Sequence, residues 1–177
     1  MAGGALGVFQ LGRATDKRYV LSLMEVTVYP ATEEEVRSGY VGRQLREFNY
    51  GYVGEYPEVQ YIRLNARDAE GHVIGGLRAV VAMYWLRVEV LWVSEGARRN
   101  GVGSRLLAEG EHIAVTLGAK NAALETFEWQ APLFYEKNGY QEAGRMENYI
   151  GGFYLSIYRK LLIRDNKPLH PSACGAG

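Results

Sequence analysis

A short run of basic residues and glycines carries the clearest chemical information in this sequence. It lies between the apolar run 88–93, which predicts a strand, and an amphipathic helix pattern that begins near Ser104. Its residues are Arg98, Arg99, Asn100, Gly101, Val102 and Gly103. The glycines allow a tight turn and a close backbone approach, and the unpaired N–H groups and positive dipole end of the helix favour phosphate oxygens. We therefore expect this loop to bind a phosphate or pyrophosphate group.

A lone Gly-x-Gly pair before a helix is often only a tight turn, so the surrounding residues decide its meaning. Leu106 stands where a dinucleotide fingerprint has its third glycine, and no Gly-Lys-Ser/Thr sequence follows to make a P-loop. Neither nicotinamide nor nucleoside triphosphate chemistry is indicated. A second block at 133–140, Leu-Phe-Tyr-Glu-Lys-Asn-Gly-Tyr, makes the pair of motifs far more specific than either one.

Other groups with chemical potential are scarce. The helix pattern after the loop places Glu111 and His112 on its polar face, where His112 is most simply a solvated surface histidine. No cluster of histidine, cysteine and carboxylate residues has metal-ligand spacing, so we predict no metal site. The single cysteine, Cys174, lies in a tail rich in serine, glycine and alanine, which excludes a disulfide framework and argues against a thiol nucleophile. The expected compartment is a reducing cytoplasm.

The whole chain of 177 residues suits one domain with a sizeable core. Its 20 basic and 20 acidic residues cancel, which gives no general electrostatic reason to expect nucleic acid or an anionic membrane as a partner. We interpret residues 1–23 as a poorly ordered leader, 24–163 as the domain, and 164–177 as a tail.

The elements that must position the loop can be read from the residue pattern. A strand is expected at 25–29, and a capping box of Thr32 and Glu35 then starts a helix that ends in an aromatic loop at 49–54. Three antiparallel strands follow between Val59 and Val93.

The second half of the pattern alternates strand and helix. A helix from Ser104 to about Leu117 precedes a strand at 121–126 and a short helix at 130–137, and two strands at 146–150 and 153–162 end the fold. The predicted class is α/β of the α+β type, with a mixed, largely antiparallel sheet of six or seven strands and helices on both faces.

This order of elements resembles the GNAT superfamily of acyl-CoA-dependent N-acetyltransferases. The resemblance covers about residues 25–162 and rests on Arg98-x-x-Gly101-x-Gly103 and on the Phe134-Tyr135-x-Lys137-x-Gly139-Tyr140 block. It implies acetyl-CoA as donor, with its pyrophosphate on the loop and its pantetheine arm between the splayed strands 88–93 and 121–126. The implied coenzyme contacts are Leu91, Trp92, Val93, Arg98, Arg99, Asn100, Gly101, Val102, Gly103, Ser104, Tyr135 and Lys137.

The resemblance also implies catalytic roles. Tyr135 would give a proton to the departing thiolate, and the alternative is that it only packs the short helix. The oxyanion donor would be a backbone N–H near Val93. Glu89, a carboxylate within an apolar strand, is the first choice for the base, because burial would raise its pKa. Alternatively it pairs with Arg87 or Arg78 on an exposed face, and Glu125 and Glu128 are the reserves.

One segment departs from the family pattern. Relatives often carry asparagine seven residues before the tyrosine, where this chain has Glu128. The coenzyme contacts of the family therefore cannot be assigned residue by residue in this segment. Gln130 or Thr126 is a candidate to supply the hydrogen bonds to the coenzyme that the asparagine would make.

The acceptor is expected among rings and carboxylates, at Tyr50, Tyr52, Glu89 and Glu125. Such groups suit a cationic amine. They favour a small primary amine, such as a polyamine, an amino sugar antibiotic or an amino acid derivative, acetylated directly in a ternary complex. Protein or peptide N-acetylation and a non-catalytic acyl-CoA sensor are the alternatives. The oligomeric state is open, with a homodimer as the arrangement that similar domains suggest.

Overall fold

The computed structural model describes residues 26–163. The expected leader at 1–23 and tail at 164–177 lie outside the described residues. By its residue contacts the chain forms two compact units, with the boundary in the sequence between Glu47 and Phe48. Each unit is described by itself below.

The first unit holds the start of the helical region. The capping box of Thr32 and Glu35 is present as predicted and opens helix α1, Glu33–Ser38, which ends at Gly39 with φ 65°. Helix α2, Tyr40–Val53, follows and continues into the second unit. The predicted loop at 49–54 was wrong, because helix α2 runs through it to Val53. The predicted strand at 25–29 was also wrong for the described residues 26–29, which are exposed and pair with no strand.

The second unit is built on a six-stranded sheet, as the mixed pattern predicted. Its strands are β1 (Gln60–Arg67), β2 (Val73–Ala82), β3 (Trp85–Val93), β4 (Asn121–Phe127), β5 (Gln141–Ile150) and β6 (Phe153–Leu161). Their order across the sheet is β1-β2-β3-β4-β6-β5, and every neighbouring pair is antiparallel except β3 and β4. A parallel pair needs a crossover connection, which here contains the glycine-rich loop.

The parallel ladder between β3 and β4 is short. It begins at Trp85 and Asn121 and ends at Val88 and Leu124, although β3 continues to Val93 and β4 to Phe127. The register of β2 against β3 shifts at the same level, where Glu89 is an extra residue in a β-bulge. A bulge bends its strand and raises the local twist. The two strands therefore diverge beyond Val88, and we call the gap between them the splay cleft.

Two helices pack against the sheet on one face. Helix α3, Val102–Thr116, buries Leu106, Leu107 and Ala114 against strands β1 to β3, and helix α4, Pro132–Lys137, buries Tyr135. Apolar side chains that alternate along the strands complete the same core. The strands contribute to this core Leu77, Leu86, Val88, Leu124 and Tyr158. This packing brings the starts of both helices to the end where β3 and β4 diverge.

Candidate active site

The glycine-rich loop ends in an open helix N-terminus. One turn of 3-10 helix at Glu95–Ala97 leads to Gly101, which precedes α3 with φ 76° and offers no side chain to cap it. The first main-chain hydrogen bond of the helix runs from the Arg105 N–H to the Gly101 carbonyl, at 3.0 Å. The N–H groups of residues 102–104 therefore have no partner within the helix, as an anion site requires.

Glycine is required at the two loop positions for different structural reasons. Gly101 is needed for its positive φ, because nothing lies within 4 Å of the place where its Cβ would be. A Cβ on Gly103 would meet the Phe134 ring at 3.3 Å, so this glycine permits the contact between α3 and α4. The expectation that both glycines serve close approach to a ligand therefore holds only in part, since Gly103 is explained by packing.

Arg98 connects the loop to the end of β3. Its guanidinium Nε donates to the carbonyl of Val93 at 3.1 Å, which anchors the side chain beside the last residue of the strand. All three residues 98–100 are exposed, and Arg99 takes a positive φ of 65°. Unlike Arg98, the Arg99 and Asn100 side chains are not bonded to the end of β3. These two side chains are the ones that can turn toward a bound phosphate.

The splay cleft offers two unpaired strand edges. Beyond Val88, β3 still pairs with β2, and beyond Leu124, β4 still pairs with β6, but the edges that face each other have no ladder. Successive backbone N–H and C=O groups on such an edge seek hydrogen-bond partners. An extended ligand with amide groups, such as a pantetheine arm, fits these edges. The edge of β3 between Glu89 and Val93 is also where the oxyanion donor was expected.

Tyr135 is the buried residue of helix α4. Its side chain is only 8% exposed and makes edge contacts with the rings of Phe134 and Tyr140, at centroid distances of 5.1 and 5.9 Å. Burial raises the pKa of the Tyr135 phenol above its ordinary value. Its hydroxyl is neither sealed from solvent nor hydrogen-bonded to any residue from 26 to 163. The phenol is thus held protonated and keeps a free donor. Lys137, two residues on, is exposed.

Glu89 and Glu125 occupy equivalent places on the two diverging strands. Each is the first residue beyond the last paired residues, Val88 and Leu124, and both carboxylates are exposed. Because Val88 and Leu124 face the core, the strand alternation turns the two glutamates toward the other face of the sheet. The burial expected of Glu89 as a base is therefore not found, and the exposed face of the alternative interpretation is confirmed.

The alternative pairing for Glu89 does not occur either. Arg78 donates instead to the carbonyls of Leu64 and Leu77, each at 2.8 Å, and to the Asn65 side chain at 2.9 Å. Within the described part of the chain no ion pair joins Glu89 to an arginine. Its carboxylate is consequently available to a ligand or to water.

The segment between β4 and α4 is held by its own side chains. The Gln130 amide oxygen accepts from the Phe127 N–H at 2.9 Å and from the Thr126 hydroxyl at 3.2 Å. Thr126 itself is buried. These two residues were candidates for coenzyme hydrogen bonds, but the structure joins them to each other. They rigidify the turn that carries Glu128 and Trp129.

Four aromatic side chains gather at the end of β4, and the sequence analysis did not identify them as a group. We call Phe127, Trp129, Tyr149 and Phe153 the aromatic cluster. Phe127 and Trp129 stack in parallel with centroids 4.5 Å apart, and Phe153 meets Trp129 edge-on at 4.9 Å. Tyr149 contacts Phe127 at 5.6 Å. Residue spacing carried no signal for this cluster, because its members come from three different segments.

Tyr50 and Tyr52 were predicted to bind the acceptor from a loop. Both lie in helix α2 instead, where Tyr50 contacts Tyr56 at 5.0 Å and Tyr52 contacts Phe48 at 5.1 Å. Their part in acceptor binding stays a prediction.

A buried charged group lies between α3 and β6. The Lys160 ammonium donates to the Glu111 carboxylate at 2.6 Å, and the two side chains are 25% and 14% exposed. The polar face predicted for α3 thus includes Glu111 as a paired, largely buried carboxylate. Among residues 26–163 the Tyr140 hydroxyl and the second Glu111 oxygen are buried and have no hydrogen-bond partner, and burial together with the Glu111 charge raises the pKa of Tyr140.

The turn between β1 and β2 groups Asp68, Glu70 and His72, whose ligand atoms lie within 4.8 Å of one another. The His72 backbone N–H donates to Asp68 at 2.7 Å, and the ring nitrogen lies 3.3 Å from the same carboxylate. The hydrogen bonds of the turn explain why Asp68 and His72 are close, and Glu70 joins them. The expectation that no histidine and carboxylate side chains would group at metal-ligand spacing was therefore wrong, although all three residues are partly or fully exposed. No helix among residues 26–163 has the length and apolar character to cross a membrane.

Comparisons with known proteins agree with this geometry. Residues 57–142 match the family model of the acetyltransferase (GNAT) domain. A blasticidin-S acetyltransferase from Streptomyces morookaense is 42% identical over 96 residues, which cover 54% of this chain and 68% of that protein. An acetyltransferase from Agrobacterium fabrum is 30% identical over 114 residues, or 64% of this chain and 79% of its own length.

A solved structure extends the match to the fold. The crystal structure of an acetyltransferase from Bacillus cereus ATCC 14579 superposes with a TM-score of 0.68 at 30% identity, over 77% of this chain and 97% of that one. The diverging strands, the open helix N-terminus and the matching relatives lead to one conclusion: the chain belongs to the GNAT family of acetyltransferases and uses acetyl-CoA as its acetyl donor.

Proposed function

We propose that this enzyme transfers the acetyl group of acetyl-CoA directly to a primary amine of a small molecule, within a ternary complex. One observation carries the choice of acceptor: the 42% identical relative is named for blasticidin-S, a small-molecule antibiotic. The exposed carboxylates of Glu89 and Glu125 support it, because a pair of anions beside the splay cleft attracts a cationic amine. An antibiotic amine is therefore the acceptor class that we test first.

The residues of this chain suit acetyl-CoA at one end of the splay cleft. The N–H groups of residues 102–104 would hold the pyrophosphate, with Arg99 and Asn100 beside it. The facing edges of β3 and β4 would bond the amides of the pantetheine arm. Backbone groups supply most of these contacts, which explains why few side chains in the loop are required.

Tyr135 is our candidate for the acid. As the thioester breaks, negative charge collects on the sulfur, and a donor aimed at that charge lowers the barrier. The raised pKa of Tyr135 keeps its phenol protonated at neutral pH, and its hydroxyl has no competing partner among the described residues. It can therefore give its proton to the leaving thiolate.

Glu89 is our candidate for the base, acting on the amine through water, with Glu125 holding the amine as a cation before transfer. Because Glu89 is exposed, we do not expect the amine to give its proton directly to a desolvated carboxylate. A bound water can instead carry the proton from the amine to Glu89. The attacking amine then adds to the thioester carbonyl, whose oxygen would receive a hydrogen bond from the β3 edge near Val93.

The test follows thiol release from acetyl-CoA with blasticidin S, spermidine, kanamycin and a lysine-containing peptide. We expect turnover of at least one small amine, with kcat reduced about 100-fold or more in Tyr135→Phe and in Glu89→Gln. Glu109→Gln, at an exposed position on α3, serves as the matched carboxylate control and should retain parental activity. Activity on the peptide alone would overturn the small-molecule proposal, and a fully active Tyr135→Phe variant would remove the proposed acid.

A further inference from the structure

The aromatic cluster at the end of β4 is exposed to an unusual degree. Trp129, Tyr149 and Phe153 are 52%, 54% and 45% exposed, even though they contact one another and Phe127. Large rings that make ordered contacts and yet remain half exposed mark interaction sites more often than isolated surface residues do. Among residues 26–163, nothing covers the exposed parts of these three rings, so they are open to a ligand.

The cluster is held in place before any ligand binds. The Glu128 N–H donates to the Tyr154 carbonyl at 3.2 Å, and the Gln130 N–H donates to the Phe127 carbonyl at 2.9 Å. With the Gln130 side chain bonded to the Phe127 N–H, the turn that carries Trp129 is fixed on both sides. A preorganised ring loses little conformational entropy when a ligand stacks on it.

The cluster also adjoins the acceptor side of the cleft. Phe127 is two residues beyond Glu125 on the same strand, so both side chains lie on the same sheet face, about 6.6 Å apart along β4. The ladder that would join β4 to β3 has already ended at Leu124. A ligand whose amine is near Glu125 can therefore reach the rings with the rest of its structure.

We propose that the aromatic cluster selects acceptors that carry a basic aliphatic amine and, a few bonds away, a flat aromatic or heteroaromatic ring, which extends the parallel stack of Phe127 and Trp129. This inference rests on the proposed function and adds a substrate class to it. The two rings are stacked with an angle of only 8° between their planes, and a further flat ring can continue this geometry. The carboxylates of Glu125 and Glu128, on either side of Phe127, would attract the positive charge of the amine.

The experiment compares two amines of nearly equal size and basicity, 2-phenylethylamine and 2-cyclohexylethylamine. We expect the parent enzyme to prefer the aromatic amine about tenfold or more in kcat/KM, and Trp129→Leu to bring the ratio near one while acetyl-CoA affinity is unchanged. Trp85→Leu is the matched control, because Trp85 pairs with Asn121 at the opposite end of β4 and should keep the preference. Equal rates for both amines in the parent, or an undiminished preference in Trp129→Leu, would overturn the proposal.

Two further results separate this inference from the proposed function. If the enzyme acetylates another amine of the panel but neither of these two, both are compared as competitive inhibitors, and equal inhibition constants refute ring selection. If no small amine is acetylated, the proposed function fails. Ring stacking is then judged by titrating tryptophan fluorescence with 2-phenylethylamine, where quenching in the parent but not in Trp129→Leu supports the cluster and equal responses reject it.

Discussion

Replacing Lys160 by methionine should destabilise the protein far more than the loss of an ordinary surface charge. The substitution keeps much of the apolar stem but leaves the Glu111 carboxylate, 14% exposed, without the ammonium that binds it at 2.6 Å. Its other oxygen already lacks a hydrogen bond among the described residues. Removing one partner of a buried pair typically costs about 3 to 5 kcal/mol. We expect a loss near the lower bound, because Lys160 is partly exposed and water can reach the site.

The measurement is urea unfolding followed by circular dichroism. With a slope of about 2 kcal/mol per molar urea, a loss of about 3 kcal/mol lowers the midpoint by about 1.5 M. Such a loss leaves a domain of ordinary stability folded, since total stabilities are about 5 to 15 kcal/mol. Acetyl-CoA binding by the variant confirms that its fold is retained.

A double-mutant cycle gives the matched control. Glu111→Met combined with Lys160→Met removes both charges and should recover most of the lost stability, because apolar pairs of similar size replace buried ion pairs at little cost. A loss below about 1 kcal/mol in Lys160→Met would refute the reasoning. So would a double variant that is as unstable as Lys160→Met alone, because the uncompensated Glu111 charge would then not be the cause.

Three other predictions concern the loop, the helix contact and the buried phenols. Gly101→Val should weaken acetyl-CoA binding about tenfold or more by calorimetry, because a β-branched residue is strained at φ 76°. The control Gly96→Val, at a glycine with open space and no positive φ, should bind acetyl-CoA as the parent does. Equal affinities of Gly101→Val and the parent would contradict the loop assignment. Gly103→Ala should cost about 1 kcal/mol in urea unfolding through its contact with the Phe134 ring, and no change would contradict tight packing there. Burial and Glu136 raise the pKa of Tyr158 to about 12, so its stabilising contribution is complete below pH 10 and declines as pH rises from 10 to 12. Between about pH 8 and 11.5 the urea midpoint should fall less steeply in Tyr158→Phe than in the parent protein. Parallel midpoint curves for the two proteins would show that the Tyr158 phenol does not cause the decline.

Sequence patterns predicted helix ends and strands well where these features depend on residues that are neighbours in the chain. The capping box at Thr32 opens helix α1 where it was expected, and helix α4 ends at Lys137, the predicted last residue. The antiparallel strands between Val59 and Val93 follow from runs of β-forming residues separated by turn residues. These features depend on a few neighbouring residues, so the sequence alone contains their cause.

The features that were missed depend on partners distant in the chain. Burial was one of two interpretations of Glu89, a carboxylate within an apolar strand, and the bulge at this residue is defined only by the register against β2. The periodicity of α3 places Glu111 on its polar side, and only the position of β6 brings Lys160 against it. The aromatic cluster likewise joins residues from the ends of β4, β5 and β6. Sequence spacing along one segment contains none of this information.

The short ladder between β3 and β4 has a consequence for the order in which substrates bind. Only four residue pairs, from Trp85 with Asn121 to Val88 with Leu124, join the two three-stranded halves of the sheet by backbone hydrogen bonds. A donor that bonds both strand edges would extend this junction and restrict the relative motion of the halves. Glu89 and Glu125 lie on opposite halves of the sheet, so the distance between them becomes fixed only when acetyl-CoA has bound both strand edges. We therefore expect acetyl-CoA to bind first and coenzyme A to leave last, a compulsory sequence that product-inhibition kinetics can establish.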